Sequence, residues 1–317
     1  MKILVTGAAG FTGRYMMEFL ATQKSVQPVA LIRSESSDLS KKFVVSRVTA
    51  DLLDRDRLFE KISAVCPDAI IHLAGLPRGT LDALLMTNVT GTRNLLDAGM
   101  QANPDCRVLV VSSSAVYGYA GHTAIPESAP LKPLSDYGLS KMTQDTMSLM
   151  YHEIKGAAVA VARPFNLVGP NQSGSFICGR IVNQIAEINR GQKTDLDLLE
   201  TQSYRDFVDV RDVVRAYFAL VSHPEFSQYC AGKAFNLGSG IPCSISEIIS
   251  TIEAITGNPY NIQLPTVPPP IPIPTQQSDN SRITATIGWR SRIPLKVSLI
   301  DMLDTVSKCK NEFKDIL

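Results

Sequence analysis

The sequence predicts an α/β protein: a doubly wound parallel sheet with a smaller lobe assembled from the C-terminal half. Three observations predict it. Six short apolar runs, at 2–6, 29–32, 43–49, 68–73, 107–111 and 157–162, alternate with longer helical stretches. The first run leads directly into a glycine-spaced loop, Gly7-x-x-Gly10-x-x-Gly13. Beyond Asn166 the rhythm changes to short strands and amphipathic helices.

Each element has its own signal. Residues 2–6, with Ile3-Leu4-Val5 at their centre, read as a buried strand, and 12–22 follow as a helix. A helix at about 55–65 stops before Pro67, which cannot continue it. Helices at about 82–101 and 136–154 precede the fifth and sixth strands. Right-handed crossovers between such strands make the sheet parallel. In the second half, 174–190, 212–221, 246–255 and 295–310 read as helices, and 194–200 and 235–237 as short strands. Residues 265–274 are proline-dense, so they form neither an internal strand nor a helix, and they read as a linker or a rigid rim.

The bulk properties narrow the function. With 31 basic and 30 acidic residues the net charge is +1, which gives no electrostatic reason to expect nucleic acid or an anionic membrane as partner. No apolar run has the length to span a bilayer, and no leader pattern precedes the first strand. The six cysteines show no CxxC spacing, and the four histidines no metal-ligand spacing. These features point to a cytoplasmic protein without a metal.

The glycine loop stands where an anion-binding helix start forms. Gly7 permits the tight turn, Gly10 the close approach of a pyrophosphate, and Gly13 the packing of helix on strand, with Phe11, Thr12 and Arg14 around them. An acidic residue ending the second strand would bind the free ribose hydroxyls of NAD. Arg33 stands there instead and would face a 2′-phosphate, with Arg14 nearby, whereas Glu35 and Asp38 lie just beyond. The expectation is NADP(H), with NAD(H) still open. Asp51 and Leu52 end the third strand near the adenine, and Leu73, Ala74 and Gly75 give the fourth strand a small-residue end for the cofactor. Asn88 would tie its helix to the catalytic loop.

Tyr137 and Lys141 are one helical turn apart, so both reach one cleft. An ammonium near the phenol would lower its pKa from about 10. Ser112, Ser113 and Ser114 follow Val111 at the end of the fifth strand, where ligands of such sheets bind. One serine would polarise a carbonyl while the tyrosine exchanges the proton. The others would satisfy backbone groups.

Together these stretches resemble the extended short-chain dehydrogenases/reductases of the nucleotide-sugar epimerase/dehydratase class, over essentially the whole chain. The matching motifs are Gly7-x-x-Gly10-x-x-Gly13, Asp51-Leu52, His72-Leu73-Ala74, Asn88 with Gly91-Thr92-x-Asn94, Ser112-Ser113 ahead of Val116-Tyr117-Gly118, Tyr137-x-x-x-Lys141 and Arg163-Pro164-Phe165-Asn166. The resemblance implies a Rossmann-type cofactor domain at 1–165 with a return segment at about 206–240. It implies a substrate lobe from 166–205 and 241–317. It makes Ser113, Tyr137 and Lys141 the catalytic group. Val111, Asn88, Pro164 and Asn166 join Tyr137, Lys141 and the loop residues as cofactor contacts.

Within the class the chain is similar to the reductases of nucleotide-linked 4-keto-6-deoxy sugars, through the stretches 162–173, 205–217 and Gly288-Trp289 ahead of Ile293-Pro294-Leu295. The implied reaction is NADPH-dependent reduction of a 4-keto group, with GDP-4-keto-6-deoxy-D-mannose as the model substrate. A 4-epimerase and a non-catalytic NADP-binding protein are the alternatives. Arg78, Ser113, Ser114, Asn166, Gln172, Arg205 and Arg282 are the implied contacts to the nucleotide-diphosphate sugar. Two residues beyond Ser113, where dehydratases carry an acid, stands Ala115, which has no proton to exchange. The loop 75–80 is short, and 267–272 lacks the arginine of the reductases, which leaves the base open. Members of the class dimerise, and the helices around 85–100 and 137–153 are the candidates here.

Overall fold

The computed structural model describes residues 1–34, 46–267 and 273–308. The first half builds β1 (Lys2–Thr6), α1 (Phe11–Ala21), β2 (Gln27–Ile32), β3 (Ser46–Thr49), α2 (Arg55–Val65) and β4 (Ala69–His72). It continues through α3 (Leu81–Leu85), α4 (Gly91–Ala102), β5 (Arg107–Val111), α5 (Asp136–Lys155) and β6 (Val159–Pro164). The second half contributes β7 (Asn166–Val168), α6 (Ile177–Ile188), β8 (Leu196–Asp197), β9 (Tyr204–Asp209), α7 (Val210–Val221), α8 (Phe226–Tyr229) and β10 (Ala234–Leu237). Then come β11 (Pro242–Ser244), α9 (Ile245–Thr256), β12 (Ile262–Gln263), β13 (Thr275–Gln276), α10 (Ser281–Ile287) and α11 (Leu295–Lys308).

Seven strands form one sheet in the order β10-β6-β5-β4-β1-β2-β3. Every pairing in it is parallel. Alternate residues of the strands feed two cores. Ile3, Val5, Ile71 and Leu109 pack against Met16 and Leu20 of α1 and Val213 and Tyr217 of α7. Leu4, Ile70, Val108 and Val110 pack on the other face against Leu58, Ile62, Leu95 and Tyr151. Each of these buried side chains contributes about 1.5–3 kcal/mol relative to exposure, and the two-sided burial explains why the strands read as unbroken apolar runs.

A third core joins Val168, Ile181, Ile185, Phe207, Ile248, Ile252 and Leu299, from α6, α9, α11 and the short strands. Here β9 is the hub. It pairs with β11 antiparallel, and with β13 and β7 in parallel. The sequence reading has no strand at 204–209 because Arg205, Asp206 and Asp209 break its apolar pattern. Asp206 and Asp209 are buried there as hydrogen-bond acceptors. α7 starts two residues earlier than expected because Asp209 caps it, accepting from Arg211 N at 2.8 Å. The strand expected at 194–200 shrinks to Leu196–Asp197. The helix expected at 82–101 is interrupted by a π-helical turn, Met86–Thr90. Residues 43–45 of the third strand, 268–272 of the proline-dense segment and 309–310 of the last helix lie outside the described residues.

Candidate active site

The loop after β1 is built for a dinucleotide. Gly7 has φ +65°, and a Cβ there would lie 2.7 Å from Ala74 N. A Cβ on Gly13 would lie 2.1 Å from Gly7 O. Glycine is therefore obligatory at both positions for sterics alone. α1 starts at Phe11, and no side chain caps its first turn, so its amides are available to an anion. These features fit a bound dinucleotide. Arg33 directly follows β2 and is exposed, whereas Glu35 and Asp38 lie outside the described residues. The exposed Arg14 bonds its Nε to Ala9 O at 3.1 Å. Asp51 accepts from Leu53 N at 2.9 Å, and Leu52 O accepts from Asn94 Nδ2 at 2.9 Å, which ties the end of β3 to α4.

The reacting group assembles at the C-terminal end of β5. Ser113 is in extended backbone just before a 3₁₀ turn, and its hydroxyl accepts from Ala115 N at 3.2 Å. It also lies near enough to the Tyr137 phenol to influence its titration. Ser135 caps α5 through Gly138 N, which places Tyr137 in the first turn. Lys141 is 5 % exposed and donates to Val111 O at 2.6 Å and Gln144 Oε1 at 2.5 Å. A Cβ on Gly75 would lie 3.9 Å from its Nζ, so the loop after β4 leaves space beside the ammonium.

The electrostatics differ from the sequence expectation at one point. Burial raises the Tyr137 pKa, and the nearby Ser113 hydroxyl offsets only part of that. Lys141 does not draw the phenol below its ordinary value, because its ammonium is turned to Val111 and Gln144. Burial lowers Lys141 itself to about 7, with Asp145 opposing. The phenol is thus held protonated, as a proton donor must be.

Several other expected residues serve the scaffold. Asn88 is fully buried in the π-helical turn and accepts from Leu76 N at 2.7 Å. It donates to Leu76 O at 3.0 Å and Ser140 Oγ at 2.9 Å, so both amide hydrogens are spent inside the protein rather than on a cofactor. Ser114 forms a reciprocal pair with Gln276, at 3.1 Å from its hydroxyl and 3.0 Å to its carbonyl. Gln172 is buried between Leu167 O at 2.6 Å and Gly179 N at 3.2 Å and pins the loop before α6. Arg282 bonds Ala234 O at 3.0 Å and faces Glu127 at 3.6 Å. Ala234 starts β10 and so lies at the N-terminal end of the parallel sheet, whereas the serines follow the C-terminal end of β5, so the Arg282 side chain is directed away from them.

Three further substrate candidates lie on the loop after β4, at the start of β7 and on β9. Asn166 is the first residue of β7, just past β6, and donates to Asp206 O at 3.3 Å. Arg205 pairs in register with Gln276 and so shares its face, the one that reaches Ser114. The Arg205-Asp206 pair does not form an internal salt bridge, because neighbouring strand residues point to opposite faces. The exposed Arg78 reaches across the short loop to Ser175 O at 2.5 Å.

Sequence reasoning missed Gln144, Gln276 and Asp206. Gln144 alone had a legible signal, three residues after Lys141 on one helix face. The hydroxyl of Tyr217 was missed as well. It is the one buried side-chain polar atom without a partner among the described residues, and it lies within electrostatic reach of Tyr137. No group of metal-ligating side chains occurs among the described residues. No helix among them is long and apolar enough to cross a membrane.

A seven-stranded parallel sheet with a glycine cradle after β1 and a Ser/Tyr/Lys group at the end of β5 defines an extended short-chain dehydrogenase/reductase. The chain belongs to the family described as GDP-mannose 4,6 dehydratase, whose profile matches residues 4–302. It is 33% identical to GDP-6-deoxy-D-mannose reductase of Pseudomonas aeruginosa, over 98% of this chain and 99% of that protein. It is 27% identical to GDP-6-deoxy-D-talose 4-dehydrogenase of Aggregatibacter actinomycetemcomitans, over 83% of each. Its fold superposes on the structure of RMD from Pseudomonas aeruginosa complexed with NADPH with a TM-score of 0.84 and 29% identity, covering 97% of this chain and 99% of that one.

Proposed function

We propose that this protein is an NADPH-dependent reductase of the 4-keto group of a nucleotide-linked 4-keto-6-deoxy sugar, with GDP-4-keto-6-deoxy-D-mannose the first candidate. One observation carries the reading: the fold brings the Ser113 hydroxyl at the end of β5 close enough to the Tyr137 phenol to shift its pKa, with the buried Lys141 one turn along the same helix. Ser113 polarises the keto oxygen, and the protonated Tyr137 delivers its proton as that oxygen becomes an alcohol. Lys141 has two of its three N–H groups committed and leaves the third for the nicotinamide ribose. NADPH supplies the hydride when bound. Arg33 beyond β2 receives its 2′-phosphate. Ala115 offers no proton for an elimination, which separates this chain from the dehydratases of its family.

Arg205, Asn166 and Arg78 are the residues proposed to meet the sugar nucleotide. The division into a cofactor domain and a substrate lobe follows the three cores. Ile154, Met86 and Met150 are 74, 48 and 42% exposed around α5 and the π-helical turn, which supports a homodimer through these helices. The five described cysteines are free, in keeping with a reducing compartment such as the cytoplasm.

The test is turnover with NADPH and 4-keto-6-deoxy sugars linked to GDP, dTDP, UDP or CDP. The expected result is one NADPH oxidised per sugar reduced, with the GDP sugar preferred. Interconversion of two sugar nucleotides without net oxidation would make it a 4-epimerase. Cofactor binding without any turnover would make it a non-catalytic protein.

A further inference from the structure

Gln144 lies one turn beyond Lys141 on α5 and is fully buried. Its carboxamide oxygen accepts from Lys141 Nζ at 2.5 Å, and its nitrogen donates to Thr92 Oγ1 at 2.7 Å. Thr92 spends its single proton on Asn88 O at 2.6 Å. The 2.8 Å contact between Thr92 Oγ1 and His72 Nε2 therefore requires the ring to donate. Burial holds His72 neutral, with its pKa lowered to about 3, so Nδ1 accepts from Thr6 Oγ1 at 2.7 Å. Thr6 in turn accepts from Ala74 N at 3.1 Å.

Each link of this chain pairs one donor with one acceptor, so the carboxamide of Gln144 has only one usable orientation. A flip would set its NH₂ against the ammonium. The chain also joins Lys141 to Ala74, the residue packed on the glycine cradle, through four elements: α5, α4, β4 and β1.

We propose that Gln144 is a positioning residue for carbonyl reduction, fixing the Lys141 ammonium toward the cofactor face and favouring its charged form. The role presupposes the Ser113/Tyr137/Lys141 chemistry above. Two titratable groups act on Lys141, Asp145 and His72, and neither is a free carboxylate. Asp145 of α5 is bound to Arg163 of β6 at 2.8 and 2.9 Å. His72 of β4 is neutral. Two neutral oxygens, of Val111 and Gln144, therefore hold the ammonium. With Lys141 lowered to about 7, loss of one of them changes its charged fraction at neutral pH.

The test compares wild type, Gln144→Leu and Gln144→Glu. Lys141 is titrated in the protein without cofactor by NMR of ¹³Cε-labelled lysine, with Lys141→Met to assign the resonance. NADPH affinity is read by fluorescence and folding by thermal melting. The expected midpoint falls by roughly one pH unit in Gln144→Leu and rises by a similar amount in Gln144→Glu. NADPH binding near neutral pH weakens about tenfold in the leucine variant and stays within about threefold in the glutamate variant. Unmoved midpoints, shifts in one common direction, or binding losses that track melting alone would overturn the proposal. If the leucine variant does not fold, the glutamate variant decides it: a raised midpoint supports the role, an unchanged one overturns it. Intact keto-sugar reduction with unmoved midpoints overturns the role of Gln144 alone. Opposite shifts in a protein that reduces no keto sugar overturn the catalytic reading and the positioning role with it.

Discussion

Around Lys141 the buried polar groups leave one donor uncommitted, whereas around Asp206 they leave nothing open. Lys141 gives two hydrogens to Val111 and Gln144 and keeps the third beside Gly75. Asp206 is fully buried and accepts from Ser239 N and Oγ, both at 2.6 Å, Gly240 N at 3.0 Å, and Ser278 N at 3.0 Å and Oγ at 2.5 Å. These five donors fill the capacity of a carboxylate. The closed network fixes architecture, holding the turn after β10 and the approach to α10 onto β9. The open one holds a charged group ready for a ligand. Burial alone does not mark a functional group; an unfilled hydrogen-bonding position beside a cleft does.

The largest effect that tests this contrast is on chemistry. Tyr137→Phe should lower kcat by roughly 10³-fold while NADPH affinity, read by fluorescence, stays within about twofold. Near-normal turnover would remove the tyrosine from the open network's function. On the closed side, Asp206→Asn sets an NH₂ among donors and should cost about 3 kcal/mol of stability in denaturant melts. An unchanged melt would mean that Asp206 is not the architectural node. Adjacent serines sharpen the contrast further. Ser113→Ala should lower kcat by roughly 10²-fold with little change in melting. Ser114→Ala, which removes only the hydroxyl bond to Gln276 and keeps the one to its carbonyl, should cost about 1 kcal/mol and leave kcat nearly untouched. The reverse pattern would exchange their roles.

The same contrast explains what was legible in the sequence. The parallel sheet was, because strands buried on both faces leave unbroken apolar runs. So were Gly7 and Gly13, whose spacing follows from backbone contact, and the Ser113/Tyr137/Lys141 group, which sits at a strand end and one helical turn. β9 was not, because its polarity is satisfied by partners 33 and 72 residues away. Arg282 looked like a phosphate ligand from its surroundings in sequence, but its side chain runs back to the start of β10. Asn88 and Ser114 carry the right chemistry for ligand contacts, and their hydrogen bonds are spent on Leu76, Ser140 and Gln276. Sequence shows which groups are present, and only the fold shows which of them are already paired.

The central claim is that the Ser113/Tyr137/Lys141 site reduces a keto sugar irreversibly with respect to cofactor, rather than returning the hydride. The most direct measurement follows deuterium from NADPH labelled at nicotinamide C4, on the face that transfers, into the sugar of a nucleotide-linked 4-keto-6-deoxy substrate. The account predicts one deuterium at sugar C4 for each NADPH oxidised, and loss of that transfer in Tyr137→Phe. Conversion of sugar nucleotides with no deuterium incorporated and no NADPH consumed would contradict it.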